Sequence, residues 1–410
     1  MQIYLVGGAV RDALLGIPFQ ERDWLVIGAT PDDMVAKGYT PVGKDFPVFL
    51  HPDTKEEYAL ARTERKSGHG YKGFVFHTSP HISIEEDLKR RDLTINAIAQ
   101  SADGKMIDPF GGQTDLQKKI LRHVSDAFAE DPLRLLRVAR FAARFHHLGF
   151  TVAAETIALM QDMVHAGEAA HLVPERIWQE IKKALNEKNP EIFIEVLRAC
   201  DALAVVMPEI NNLFGVPQRK DYHPEIDTGV HALLSLQQAT QLSSDDKVRF
   251  AALVHDLGKA LTPADILPRH IGHEKRSLPL IKQLCKRLTV PNDYRDLSLI
   301  AAEFHTHCHK SSELNADTVY KVLKSCGAFQ ANQKLEQFLL VCEADARGRT
   351  GLEHRAYPQV DRFRKALQAC LTIKASTLQA EGFEGAALGM ELQRRQIKAI
   401  ETLAPKTALA

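Results

Sequence analysis

The stretch Tyr4-Leu5-Val6-Gly7-Gly8-Ala9-Val10-Arg11-Asp12 constrains this chain more than any other. A short apolar run closes on two glycines and passes directly into a helix-compatible segment, which predicts strand, tight turn and helix. Glycines at such a turn let backbone approach a ligand closely, and the helix start offers unpaired N–H groups to an anion. Arg11, on the first helical turn, is placed to grip a phosphate. Soon after comes Glu21-Arg22-Asp23-Trp24-Leu25-Val26-Ile27, which reads as the next strand. Alternate strand residues point to one side, so Glu21 and Asp23 can converge on one metal ion. A phosphate cradle beside paired carboxylates suits metal-dependent phosphoryl or nucleotidyl transfer. Singly, a Gly-Gly turn is only a turn and an acidic pair only a solvated strand end. Their order and combination carry the reading. The stretch is neither a P-loop, which needs Gly-Lys-Ser or Gly-Lys-Thr, nor a dinucleotide fingerprint, whose third glycine is missing.

At 410 residues the chain should hold two to four domains. With 45% hydrophobic and 25% charged residues it has ample material for a core. No apolar run approaches the ~20 residues that span a bilayer, so no membrane contact is expected. The first residues lack the charged start and apolar continuation of a signal peptide. Six scattered cysteines without a CxxC pair read as reduced thiols in a cytoplasmic protein. A formal net charge of zero leaves any nucleic-acid partner to a local basic surface. A monomer or homodimer is the expected assembly.

Residues 1–112 alternate short β-like runs (Ile3–Val6, Trp24–Ile27, Val48–His51, Tyr58–Ala61, Thr94–Ala99) with helical stretches such as Pro31–Lys37, an α+β pattern. Glu57, at the start of one run, is a candidate third acid that deprotonates an attacking hydroxyl; as a bare pattern it is equally a polar strand start. Thr63–Gly73 holds three glycines and four basic residues, His69 included, and reads as a mobile, positively biased loop. In Arg90-Arg91-Asp92-Leu93-Thr94-Ile95-Asn96, the arginines suit a triphosphate, and Asp92 and Asn96 suit a ribose hydroxyl.

Residues 113–222 turn helical. Asp131-Pro132 is a good helix start, and Asp131, Arg134, Arg137 and Arg140 recur every three residues on one polar face. Spacing alone favours a solvated basic face. The leading acid adds chemistry: an acceptor beside a donor fits a base edge that shows an amino group next to a bare ring nitrogen. Cytosine and adenine show that edge; uracil and guanine show the reverse. Arg176, Lys182 and Lys183 are surface candidates for RNA phosphates.

Residues 223–330 carry a second constellation: His223, Glu225, Asp227 and His231, then Leu253-Val254-His255-Asp256-Leu257-Gly258-Lys259 with the His-Asp pair on an apolar helix, then His270, His273, His305, His307 and His309, with Asp345 beyond. Imidazole and carboxylate together suit a transition metal that activates water. His231, His255 and Asp256 are the leading ligands, His305 and Asp345 further candidates, and His307 and His309 read as bystanders. Residues 331–410 stay helical, and Arg347, Arg349 and Arg394-Arg395 form a candidate basic face.

LVGGAVRDALLG, Glu21/Asp23, EYALARTERKSG, RRDLTINA, EDPLRLLRVARFAARF, PERIW and HDLGK, in this order, make the whole chain resemble bacterial CCA-adding enzymes (tRNA nucleotidyltransferases) of the eubacterial–eukaryotic class, in the subtype with an HD-domain tail. The resemblance implies an α+β, polymerase-β-like head, a helical neck and body, and a helical HD domain. It implies Mg²⁺-dependent, untemplated addition of C, C and A to tRNA 3′ ends from CTP and ATP. By position, Gly8 and Arg11 would hold nucleotide phosphates, Glu21 and Asp23 the Mg²⁺, and Arg91 the nucleotide. The helix with Asp131, Arg134, Arg137 and Arg140 would read the base, and residues 64–73 would switch from C to A. The HD tail implies hydrolysis of 2′,3′-cyclic phosphates, 2′-nucleotides and phosphate monoesters with Ni²⁺ or a similar ion. The family usually has Asp-x-Asp where this chain has Glu21-x-Asp23, which shifts one carboxylate by about a methylene length. The rivals are a bacterial poly(A) polymerase, an HD phosphohydrolase with an RNA-binding head, and a non-catalytic tRNA-binding chaperone.

Overall fold

The structure, a computed structural model, describes residues 1–19, 21–42, 47–66, 74–331 and 333–403, with the side chains of 64–66 and 74–77 outside that description. The chain forms two compact units, Met1–Val206 and Met207–Ala410.

The first unit opens on a mixed sheet built from β1 (Gln2–Val6), β2 (Asp23–Ile27), β3 (Thr40–Val42), β4 (Val48–Leu50), β5 (Glu57–Leu60), β8 (Ala99–Ser101) and β9 (Met106–Ile107). Its order is β3-β4-β5-β2-β1-β8-β9, and β2–β5 is its one parallel pair. A separate antiparallel pair, β6 (Arg62–Lys66) and β7 (Phe74–Thr78), flanks the segment 67–73, which lies outside the described residues. Both sheet faces are covered, because successive strand residues point opposite ways. Leu25 joins a cluster with Val6, Leu88 and Ala99, while its neighbour Val26 joins Met34, Phe49 and Leu60 on the other side. The crossover out of β2 begins with the helix Pro31–Ala36, fixed by a Thr30–Asp33 capping box and Pro31 at its start.

Two expectations shift in detail. Thr94–Ala99 is not one strand: Thr94–Asn96 is a 3₁₀ turn, and pairing resumes at Ala99. Asn96 Nδ2 donates back to Asp92 at 2.9 Å, and such local side-chain bonds compete with a strand ladder. Glu21 lies before β2, not on it, so strand alternation does not align it with Asp23.

The remaining first-unit helices include Leu133–Phe145, Pro174–Leu185 and Pro190–Ala199, which pack together through an apolar stripe containing Leu136, Trp178 and Phe193. Asp131 Oδ1 accepts from Leu133 N at 3.0 Å, so this acid does cap its helix. The second unit is helical among its described residues, with Phe304, Phe338 and Phe363 in one large core. All six cysteines are buried free thiols. No helix is long and apolar enough to cross a membrane.

Candidate active sites

A cleft of about 610 Å³ in the first unit is lined by Gly7, Gly8, Arg11, Glu21, Asp23, Glu57, Arg91, Asp131, Arg134, Arg137 and Arg140, among others. Segments as far apart as Gly8 and Arg140 thus meet at one place. Gly7 adopts φ 68°, and a Cβ there would stand 3.0 Å from Arg91 Nη1. The glycine is what lets that guanidinium lie against the turn.

Strand register positions the acids. Asp23 is the Cα partner of Glu57 in the parallel β2–β5 pair and of Val6 in the antiparallel β1–β2 pair. Two carboxylates therefore head adjacent strands, next to the Gly-Gly turn, with Glu21 on the approach. Protein packed beneath Asp23 raises its carboxyl above the usual range, Arg91 opposes that shift, and the like charge of Glu21 adds to it. Oxygen donors gathered along one cleft suit a hard divalent cation. Among the described residues, every group of three donors within 4.8 Å of one another lies in the second unit, so these acids line a cleft without closing on a point.

The arginines are held individually. Arg11 donates to Asn96 Oδ1 at 2.6 Å and Asp12 Oδ1 at 2.7 Å. Arg137 pairs with Asp92 and Arg140 with Glu180, at 2.7 and 2.6 Å. Arg134 donates to the carbonyls of Ala127 and Arg90 at 2.6 and 2.5 Å. The Phe141 ring lies 5.2, 5.6 and 4.4 Å from the guanidinium carbons of Arg11, Arg137 and Arg140. It acts as an aromatic pedestal beneath three cations. Burial works against a charge on Asp92, but Arg137, Asn96 and the Leu93 N–H overcome it and hold its carboxyl far below the usual range. The oxygens of Asp92 are thus engaged by protein where a ribose contact was expected.

Sequence reasoning missed Asp87 here. Asp87 is fully buried and holds Arg90 at 2.5 Å and Arg91 at 3.3 Å. Its spacing of three and four residues on a helix was a usable signal. Arg176, a surface candidate for RNA phosphates by sequence, lines the cleft 3.5 Å from Asp131; no local pattern pairs residues so distant in sequence.

In the second unit, the His-Asp pair sits where a helix ends, not within it. The helix Asp246–Val254 stops at His255, and a 3₁₀ turn, Leu257–Leu261, follows Asp256. Gly258 permits this: a Cβ there would fall 2.2 Å from the His273 carbonyl oxygen. His255 and Asp256 then meet side chains from four other segments. His231 Nε2 lies 3.0 Å from Asp345 Oδ1 and 3.8 Å from Asp256 Oδ2. His273 and His305 approach Asp256 Oδ1 to 3.2 and 3.5 Å. Lys259 Nζ donates to Asp256 Oδ2 at 2.7 Å. His309 is no bystander: it reaches Asp345 Oδ2 at 2.6 Å and Tyr357 Oη at 2.8 Å. His307 is not among the cleft-lining residues. Asp227 caps the helix Thr228–Leu242, accepting from Gly229 and Val230.

The donor set fits a transition metal. His231, His255, His273 and His305 each set Nδ1 against a backbone carbonyl, at 2.9, 2.8, 2.7 and 2.9 Å. With Nδ1–H donated, each Nε2 offers its lone pair inward. Asp256 Oδ1 and His255 Nε2 are buried without a hydrogen-bond partner. Burial opposes a proton on His255, yet Asp256 and Asp345 raise it to about 10, so these carboxylates call for a cation between them. Burial drives His305 well below its ordinary value and keeps it a neutral donor.

Three family models match the chain: "Poly A polymerase head domain" over residues 3–122, "Probable RNA and SrmB-binding site of polymerase A" over 149–214, and "HD domain" over 228–347. Fold and sites together define a nucleotidyltransferase head joined in one chain to an HD domain. Full-length relatives narrow this. The multifunctional CCA protein of Thioalkalivibrio sulfidiphilus is 60% identical over 98% of both chains, and that of Teredinibacter turnerae 55% identical over 100% of this chain and 99% of its own. The chain belongs to this family, the multifunctional CCA proteins. Among solved structures, the apo form I of a CCA-adding enzyme matches with TM-score 0.64 and 21% identity, covering 98% of this chain and 87% of that one. A Thermotoga maritima CCA-adding enzyme complexed with tRNA matches with TM-score 0.64 and 20% identity, covering 99% and 88%. At these identities the likeness concerns the fold.

Proposed function

We propose that the chain adds C, C and A to tRNA 3′ ends from CTP and ATP without a nucleic-acid template, and that its HD cleft hydrolyses 2′,3′-cyclic phosphates, 2′-nucleotides and phosphate monoesters. The observation that carries the first part is the Asp23–Glu57 register beside Glu21, in a cleft faced by Arg11, Arg91, Arg134, Arg137 and Arg140. Glu21 and Asp23 would hold Mg²⁺, which neutralises triphosphate charge and acidifies the attacking hydroxyl. Glu57 accepts the proton of the RNA 3′-hydroxyl as that oxygen attacks the α-phosphorus and pyrophosphate leaves. Gly8, Arg11 and Arg91 orient the triphosphate, and Arg137 and Arg140 secure the nucleotide. Asp131 and Arg134 accept the cytosine or adenine edge and reject uracil and guanine.

For the second part, His231, His255 and Asp256 would hold Ni²⁺ or a similar ion, with His305 and Asp345 beside them; such an ion lowers the pKa of water toward neutrality. The working division is a head at 1–112, a neck and body at 113–222, an HD domain at 223–330 and a helical C-terminal region at 331–410, in a cytoplasmic protein. Relatives named for CCA addition across their full length favour this reading over a poly(A) polymerase. Incorporation into a tRNA transcript lacking CCA, with each NTP alone and then CTP with ATP, tests it. Two C residues from CTP alone, then one A and a halt, are expected; a long A tail from ATP alone overturns the reading.

A further inference from the structure

The cleft above the His-Asp cluster, about 430 Å³, has a mouth unlike its floor. Among the described residues, its only acidic lining residues are Asp256 and Asp345, both deep and engaged by histidines, Lys259 and Arg349. Around them stand Arg219, Arg269, Lys310 and Arg349; Arg219 is paired with Asp221 and Arg349 with Asp345, and Arg269 and Lys310 leave the opening with a positive excess that suits an anion. The volume falls within the ~300–1,000 Å³ of small-molecule sites, with room for more than a phosphoryl group.

Among the described residues, Tyr222 is the only phenylalanine, tyrosine or tryptophan lining this cleft, and it is 56% exposed. A lone exposed aromatic means little, but this one is mounted. The Arg219 guanidinium lies 4.9 Å from the ring centroid and is itself steadied by Asp221 at 2.7 Å. The segment bearing the ring is bridged to itself, with Gln218 N donating to the Ile226 carbonyl at 2.7 Å and His223 N to the Arg219 carbonyl at 2.9 Å. It is also tied to the floor: Gln218 Oε1 accepts from Lys259 Nζ at 2.9 Å, and His223 meets Glu225, which touches His231. A cation-backed ring on a hydrogen-bonded turn at the mouth of an anion-attracting cleft is a stacking surface for a base.

We propose that Tyr222, backed by Arg219, is a base platform that makes this cleft selective for nucleotides and RNA ends over simple phosphate esters. The ligand lays its base on the exposed ring and turns its ribose phosphate toward the cationic interior. This rests on the phosphohydrolase reading of the same cleft. Full-length protein loaded with Ni²⁺ is assayed on 2′,3′-cyclic AMP and on glycerol 2-phosphate, which has no ring to stack, as wild type, Tyr222→Ala and Tyr222→Phe. Tyr222→Ala should raise KM for the cyclic nucleotide about 5- to 50-fold with little change in kcat, leave glycerol 2-phosphate kinetics intact, and be rescued by Tyr222→Phe. Equal losses on both substrates, or none, overturn the platform. Calorimetric titration of chelator-treated, metal-free protein with 2′-AMP and with ribose 5-phosphate decides the matter without turnover. Wild type must bind 2′-AMP more tightly than Tyr222→Ala does, with no difference for ribose 5-phosphate. Wild type that hydrolyses neither substrate sinks the phosphohydrolase reading alone, and the titration then judges the platform.

Discussion

Asp23 is exposed at the floor of its cleft, whereas Asp256 is 2% exposed in its own. Both carboxylates stand where a cation would bind, and they are prepared for it differently. Asp23 owes its place to backbone register, and its neighbouring acids stay apart. Asp256 is enclosed by imidazoles whose other nitrogens are fixed to backbone carbonyls. A site that stays open and repelled suits a cation arriving with each triphosphate and leaving with pyrophosphate. A buried site with fixed donors suits a resident metal. The order in the first cleft lies in its arginines, three of which, Arg11, Arg137 and Arg140, are paired and gathered around Phe141.

The sharpest way to break this contrast is a crossed pair of variants. Asp23→Asn should cut nucleotide incorporation about 10³-fold and leave phosphate release unchanged; His255→Ala should do the reverse by at least about 100-fold and lower bound metal measured by mass spectrometry. If either variant silences both activities, the two clefts are not independent. Next in size is chelation. Brief treatment with a chelator, then gel filtration and Mg²⁺ alone, should restore incorporation but not phosphate release, because the buried cluster has the fixed donors that would retain an ion of its own.

A smaller effect probes the paired arginines. Asp92→Asn should destabilise the first unit by about 2–3 kcal/mol in denaturant titration, less than for a fully buried pair because Arg137 is about a third exposed. The folded carboxyl of Asp92 lies below its unfolded value, so its contribution is present above about pH 4 and lost as pH falls through the folded value. The gap between wild type and variant should therefore close in acid. Least of all, Glu21→Asp should change incorporation only a few-fold and shift the Mg²⁺ concentration for half-maximal rate. A loss as large as that of Asp23→Asn would mean that the longer side chain is tuned to this cleft.

Much of this was written locally. The Gly7-Gly8 turn, the run Trp24–Ile27, the Asp131 cap and the helical remainder follow from short-range sterics, side-chain spacing and capping. So did the residue types of both sites, since phosphate, Mg²⁺ and transition-metal chemistry restrict the suitable side chains. Tertiary structure decided partners. Asp92 and Asn96 had the chemistry for a ribose, but the fold brings Arg137 and Arg11 onto them, and a buried acid takes the nearest cation. His309 passed for a bystander because nothing in its neighbourhood shows that Asp345, 36 residues on, comes within 2.6 Å. Sequence by itself determined which groups this protein has to work with, because local propensity and ligand chemistry act at short range. Which groups meet, and which of their atoms remain for a ligand, only the packing of distant segments settled, because burial, register and charge pairing exist only once those segments are in contact.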